Sequence, residues 1–380
     1  MKIIQRKPNK FQTRLLVLFF ILLLTSFTFT IFALDFVSSN SSNSISDKKS
    51  PNNEILSQAH PKCPICNFTS LHKPTSTRRD VVLAAALTEL KRVEYFLRTL
   101  RTTGTLARVI LFLDSKKTAS TNWLKFFSAC NIEPVFISKQ DPVVRSAPKL
   151  SRYYFYQQWL SKHITEVDRV LHTDTFDVIF QSDPFIPIIT QDSLFFTIEP
   201  VSLGGSHWTD QWITQCYGKN ISRQFSSKPV SCSGVTVGGA AQFLTYLDVL
   251  LSTPKWVSCF GHSLDQAHHN FLWYTGEFEK AGVNIKTFDC NSPYLTMHFC
   301  CKRAKCEWKS NGVMFGNSST VAPVLVHQYN RWKNLTARNP VFCPAPPGGV
   351  TELTVKGKPA KLEELPPLST ELPKVTLWPP

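Results

Sequence analysis

From Asp80 onward the chain alternates short apolar runs with segments whose apolar residues recur at three and four positions, the pattern of strands separated by amphipathic helices. Val81 to Leu87 is unbroken by any polar residue and predicts a buried strand. Glu89 to Thr102 predicts a helix, because Leu90, Val93, Leu97 and Leu100 fall on one face. Val109 to Leu113, ending at Asp114, reads as a second strand, Trp123 to Cys130 as a second helix, and Pro134 to Ile137 as a third strand. Leu150 to His163 predicts a further helix. Arg169 to His172 is then a short strand that opens at Thr173-Asp174-Thr175-Phe176-Asp177 before Val178-Ile179-Phe180 restores the apolar run. Later come a strand over Leu194 to Ile198, a loop from Ser202 to Pro229, a helix over Ala241 to Leu251, a helix opening at Asp265, and a late strand over Val324 to Val326. Successive βα units of this kind specify an α/β class fold, a mainly parallel sheet with flanking helices.

The amino-terminal region has a different texture. Leu15 to Leu34 carries no charge, and about 20 such residues cross a bilayer as a helix. A cleaved signal peptide has a shorter apolar region ending in small residues, and Ile31-Phe32-Ala33-Leu34 is a poor cleavage site, so the segment reads as an uncleaved signal anchor. Lys2, Arg6, Lys7, Lys10 and Arg14 precede it and Asp35 follows, which places the amino terminus in the cytosol and the rest of the chain in a lumen. The expected organisation is a cytosolic tail over 1–14, a transmembrane anchor over 15–34, a Ser-, Asn-, Lys- and Pro-rich stem over 35–79, the α/β domain over 80–340, and a Pro-rich tail over 341–380.

Composition modifies this picture little. The formal charge of +15 comes from 42 Lys and Arg against 27 Asp and Glu, but several basic residues lie ahead of the anchor or in the tail and no nucleic-acid motif accompanies them. Eleven cysteines in a lumenal chain read as disulfides. Cys63-Pro64-Ile65-Cys66 and the cluster Cys290, Cys300, Cys301, Cys306 lack a second CxxC at zinc-finger spacing. The odd count leaves a thiol unpaired, and Cys130, beside Phe126 and Phe127, is the expected buried one. Sequons at Asn40, Asn67, Asn220, Asn317 and Asn334 suit the same compartment.

The candidate chemistry centres on Asp174 and Asp177. Two carboxylates where a buried strand opens into a loop can hold a hard cation such as Mg2+ or Mn2+, and in open α/β sheets ligands bind outside the carboxyl ends of strands. Short acidic residues also serve as turn and helix-cap residues, so the pair alone leaves both readings open. There is no GxGxxG and no GxxxxGK[ST], so neither a dinucleotide site of the usual kind nor a P-loop is indicated. Asp265 at a helix start is either a cap or a base, and His327 at a strand end either structural or a ligand.

The stretch TDTFDVIFQSDPF, with RYYFYQQWL before it and SGV, LDQ and HQY after it, resembles the GT-A glycosyltransferases, whose DxD-type motif holds Mn2+ or Mg2+ against the diphosphate of a nucleotide sugar. DTFD is one residue longer than the usual DxD. The resemblance implies a GT-A-like, Rossmann-type domain. It implies Asp174 as a metal ligand, Asp177 as a second one or a contact to sugar or ribose, and His327 as the residue completing the site. It further implies Lys149 and Arg152 near the donor phosphates, Gly234 as the point of close backbone approach to the donor sugar, and Asp265 as catalytic base or sugar-hydroxyl ligand. The expected function is a metal-dependent glycosyltransferase, single-pass and type II, in the Golgi or endoplasmic reticulum. It would take a nucleotide-sugar donor and a glycan or glycoprotein acceptor, with no nucleic-acid partner. The alternative is a catalytically silent lumenal glycan-binding or scaffold protein of the same fold.

Overall fold

The computed structural model describes residues 60–344 apart from 88–89, 91, 115–120, 139, 148–149, 254, 257–258, 260–263, 304–305, 317–321 and 333–335. The anchor, the first part of the stem and the tail beyond 344 lie outside the described residues, as do Lys149 and the sequons at Asn40, Asn317 and Asn334. Asn67 and Asn220 are exposed.

Seven strands form the central sheet: β1 (Asp80–Ala86), β2 (Arg108–Asp114), β3 (Glu133–Ile137), β4 (Arg169–Thr173), β6 (Leu194–Ser202), β7 (Pro229–Gly239) and β8 (Ile285–Phe288). Their order is β3-β2-β1-β4-β7-β6-β8. The first four are parallel, β8 is parallel to β6, and β7 runs against both β4 and β6. The sheet is therefore mainly parallel, as the βα pattern requires.

The unbroken apolar runs have a direct cause, since parallel strands covered on both faces need apolar residues at odd and even positions alike. Val82, Ala84, Val109, Leu111 and Leu171 face one layer with Phe96, Leu97 and Leu100 of α1 (Val93–Thr102) and Phe126 and Phe127 of α2 (Thr121–Ala129). Val81, Leu83, Ile110, Phe112 and Val170 face the other. There the five-residue helix α3 (Pro142–Ser146) leads to α4 (Ser151–His163), whose Tyr153, Tyr156 and Leu160 are buried. The aromatic residues of that helix are thus chiefly core. Helix α1 begins later than its periodicity suggests, because Arg92 has a left-handed backbone, φ 67°, and a right-handed helix cannot continue back through it.

Ser202 to Pro229 is not one loop. Ser206 caps α5 (His207–Tyr217) by accepting from the Thr209 N–H, and α6 (Lys219–Phe225) follows after Gly218. Helix α7 (Ala240–Ser252) packs beside α4, and α8 (Asp265–Tyr274) leads through α9 (Glu277–Lys280) into β8. His268 and His269 of α8 are core residues with polar partners: His269 meets the Ser231 hydroxyl at 2.7 Å and the Tyr246 hydroxyl at 3.1 Å.

A second, three-stranded sheet places β12 (Leu325–His327) between β5 (Val178–Phe180), antiparallel, and β9 (Tyr294–Thr296), parallel. Helix α10 (Met297–Arg303), a short pair of strands β10 (Glu307–Trp308) and β11 (Met314–Phe315), and α11 (Asn339–Phe342) complete this side.

Residues 60–79, read from sequence as the end of the stem, lie against the domain. The buried Asp183 carboxylate accepts from the Thr75 and Ser76 N–H groups at 2.7 and 2.6 Å and from the Thr105 hydroxyl at 3.0 Å. Disulfides join Cys63 to Cys130 and Cys66 to Cys343. Cys130 is thus bonded rather than a free buried thiol, its partner coming from a segment whose composition gave no sign of packing. Cys216–Cys259, Cys290–Cys300 and Cys301–Cys306 are the other bridges, and the unpaired cysteine is the buried Cys232. The two cysteines of CPIC go to different partners, which leaves that tetrapeptide neither a zinc knuckle nor a redox dithiol.

Candidate functional site

Two sheets bring the acidic stretch and the late histidine together. Strand β4 ends at Thr173, and the Asp174 N–H donates to the Gly234 carbonyl of β7 at 3.0 Å. The Thr175 hydroxyl donates to the Ala85 carbonyl at the end of β1, 3.1 Å away, which pins the turn. Strand β5 then pairs with β12 so that Val178 lies opposite His327, and Asp177 is delivered beside the imidazole. One ligand atom each from Asp174, Asp177 and His327 lie within 4.8 Å of one another. His327 Nε2 is 3.5 Å from Asp174 Oδ2 and 3.6 Å from Asp177 Oδ1.

Gly234 covers this cluster. A Cβ there would come within 2.6 Å of His327 Cε1 and 2.8 Å of Asp174 Oδ2, so a side chain at this position would displace those two groups. Gly238 and Gly239, grouped with it in the sequence, lie at the far end of β7, where a Cβ would strike the Ser193 and Gln191 carbonyls. Only Gly234 of the three belongs to the site.

Charge in the cluster is balanced internally. Burial pushes the Asp174 carboxyl up, but the Arg152 guanidinium and His327 outweigh it and hold the group well below the usual carboxylate range. Burial raises Asp177, with His327 opposing. Burial also lowers His327, and its neighbours Cys232 and Asp177 with the hydrogen bond to Asp174 more than reverse that. These influences favour the charged form of the imidazole beside the Asp174 carboxylate. A divalent cation would bind the same set with the imidazole neutral. Two carboxylate oxygens and one imidazole nitrogen under a glycine cradle fit Mn2+ or Mg2+, with the nitrogen favouring the former.

Arg152, in the first turn of α4, ties this cluster to α8. Its Nη1 pairs with Asp174 Oδ1, and its Nη2 lies 3.0 Å from Asp265 Oδ2. The Tyr153 hydroxyl donates to the same Asp265 oxygen at 2.9 Å. The sequence-predicted residues Arg152, Asp174, Asp177, Gly234, Asp265 and His327 therefore form one connected group. The guanidinium expected near donor phosphates is committed here to two carboxylates.

Sequence reasoning passed over Glu199, Cys232 and Arg92. Glu199 of β6 is 3 % exposed and within electrostatic reach of the Cys232 thiol, whose Sγ lies 3.5 Å from His327 Nδ1. The available signals were one carboxylate inside the apolar strand LFFTIEPVS and the odd cysteine count. Burial lifts the Glu199 carboxyl from 4.5 to about 7, against the opposing effects of His327, Cys232 and Arg331. Between those pH values the native state keeps a proton that the unfolded chain has lost. The associated stability is fully present below pH 4.5 and is lost as pH rises through about 7. The loss is on the order of 3 kcal/mol. Glu199→Gln should therefore gain stability over the natural protein at pH 8 but not at pH 4.5, read from thermal unfolding at both. Parallel pH profiles for the two proteins would contradict this assignment.

No family model matches the chain, and no curated protein matches it. Among solved structures, mouse xyloside xylosyltransferase 1 in its apo form is similar at 11 % identity over 67 % of this chain and 98 % of its own. The TM-score is 0.36.

Proposed function

We propose that this chain is a metal-dependent GT-A-type glycosyltransferase that moves a sugar from a nucleotide-diphosphate donor to a glycan or glycoprotein acceptor in the secretory pathway. The observation that carries the reading is the convergence of Asp174, Asp177 and His327 where strand β4 opens at its carboxyl end, beneath Gly234, where a Cβ would crowd Asp174 and His327. These three side chains would hold Mn2+ or Mg2+, which supplies Lewis-acid stabilisation of charge on a departing diphosphate. Asp265, held by Arg152 and Tyr153 at the start of α8, is the candidate base or sugar-hydroxyl ligand.

The competing reading is a catalytically silent lumenal protein of the same fold. One observation favours it, namely that Arg152 already neutralises Asp174. A panel of nucleotide sugars incubated with the purified protein and Mn2+, followed for release of nucleoside diphosphate and its suppression by EDTA, separates the two. Release with no donor, together with no measurable Mn2+ binding, would favour the silent protein.

We propose in addition a type II arrangement in the Golgi or endoplasmic reticulum membrane, supported by the uncharged segment 15–34 and its basic flank. No helix among the described residues is long and apolar enough to cross a membrane. Sealed microsomes should protect the α/β domain from protease, and its digestion without detergent would overturn the arrangement.

A further inference from the structure

Three residues other than glycine have positive φ among the described residues, and two of them border the site. Asn131 is of a type that tolerates the left-handed region. Arg92 (φ 67°) and Gln328 (φ 59°) are not, and Gln328 directly follows His327. Strained backbone of this kind persists only where the surroundings fix it, and it concentrates at ligand sites.

Arg92 is also chemically out of place. Its side chain is turned inward and the residue is 5 % exposed. The guanidinium carbon lies 4.6 Å from the Phe176 ring centroid and 5.7 Å from that of Tyr329. Phe176 stands between the two aspartates of DTFD, and Tyr329 is two residues beyond His327. A positive charge is thereby wedged between the two segments that carry the candidate metal ligands. It lies within electrostatic reach of Asp177 and of the Tyr329 hydroxyl. Its Nη1 is nevertheless buried with no hydrogen-bond partner. The ring contacts account for a cation at this place but not for a fork with an idle donor, and a buried charged donor left unpaired is destabilising.

We propose that Arg92 is an anion-binding residue of this site, its idle Nη1 donor taking a phosphoryl oxygen of a diphosphate held at the Asp174–Asp177–His327 cluster. This rests on the reading of that cluster as a metal–diphosphate site. A phosphoryl oxygen is the matching acceptor because a guanidinium fork recognises it through directed, charge-assisted hydrogen bonds. A diphosphate would also bring negative charge near the Arg92 guanidinium, which already acts on Asp177. Arg152 has both terminal nitrogens on carboxylates, Asp174 and Asp265, and only its Nε unpartnered, whereas Arg92 has an unpartnered terminal nitrogen, Nη1.

Inorganic pyrophosphate is the probe, titrated calorimetrically into the full chain with Mn2+ and, separately, with EDTA; Mn2+ binding itself is followed by electron paramagnetic resonance. Arg92→Met should weaken pyrophosphate binding about 10- to 100-fold, the effect of one charge-assisted hydrogen bond, while Mn2+ affinity moves by less than about threefold. Equal pyrophosphate affinity in a folded Arg92→Met would overturn the proposal. Should that variant not fold, Arg92→Lys decides, because it keeps the charge without Nη1: at least about threefold weakening is expected, and no change overturns the proposal. If the natural protein binds no Mn2+, the metal reading fails on its own, and the EDTA arm still tests Arg92. A natural protein that binds pyrophosphate in neither arm overturns both. A sulfate control separates phosphoryl recognition from general anion affinity, and equal Arg92-dependent binding of sulfate would overturn the phosphoryl assignment.

Discussion

Asp174→Asn should lower turnover by at least ~100-fold, the scale of removing one strong electrostatic stabiliser of a transition state, while the protein remains folded. Asparagine keeps the shape of the side chain and removes its charge. The backbone bond from Asp174 to Gly234 does not involve the side chain, so the turn at the end of β4 stays in place. What disappears is the carboxylate charge, shared between Oδ1 facing Arg152 and Oδ2 facing His327. Arg152 keeps Asp265 as a partner, which limits the loss of stability. Steady-state turnover with the donor identified by screening, beside circular-dichroism melting, checks both halves of this expectation. Full activity of the variant in a chelator would sink the metal assignment.

Arg152→Met should destabilise the metal-free protein by about 3 kcal/mol. Breaking a buried ion pair by removing one partner typically costs 3–5 kcal/mol, and the 31 % exposure of the Asp174 side chain screens part of it. Methionine fills similar volume, so the loss is one of charge more than packing. The same substitution should enlarge the stabilisation that Mn2+ confers, because the added cation then takes over a neutralising role that Arg152 performed. Thermal melts with Mn2+ and with EDTA measure the two effects together. A variant that melts with the natural protein under both conditions would show that Arg152 carries no structural charge balance.

The parts of this molecule that were legible in the sequence are those with local causes. Val81 to Leu87 is apolar throughout because β1 is covered on both faces, and the strand opening at Asp174 is marked by the end of a short apolar run. Asp265 at a helix start and His327 at a strand end are likewise set by neighbours in the chain. The misread parts depend on partners far away. Cys130 is bonded because residues 60–79 pack on the domain, and nothing in the composition of that segment announces it. Glycines at 204 and 205 and scattered polar residues suggested a loop where Ser206 caps a helix. Arg92 lay inside an apparently continuous helical period, and only its backbone conformation ends the helix there. Glu199 and Cys232 meet through the pairing of β6 with β7, a register that no local pattern specifies.

The division of the cluster between β4–β5 and β12 has a consequence for biosynthesis. A chain leaving the ribosome completes Arg152, Asp174 and Asp177 well before His327 has been translated. At ~5–20 residues per second, the interval is on the order of ten seconds. During that time both aspartates exist without their third neighbour, and β5 lacks the strand it pairs with. Arg152 lies in α4 and Asp174 just past the end of β4, so both partners of their ion pair belong to the early part of the chain. The arginine is thus able to neutralise the carboxylate while the remainder of the fold is still being made. A nascent chain stalled before β12 carries an incomplete centre, so a metal that needs all three side chains would be taken up at the end of folding rather than its beginning.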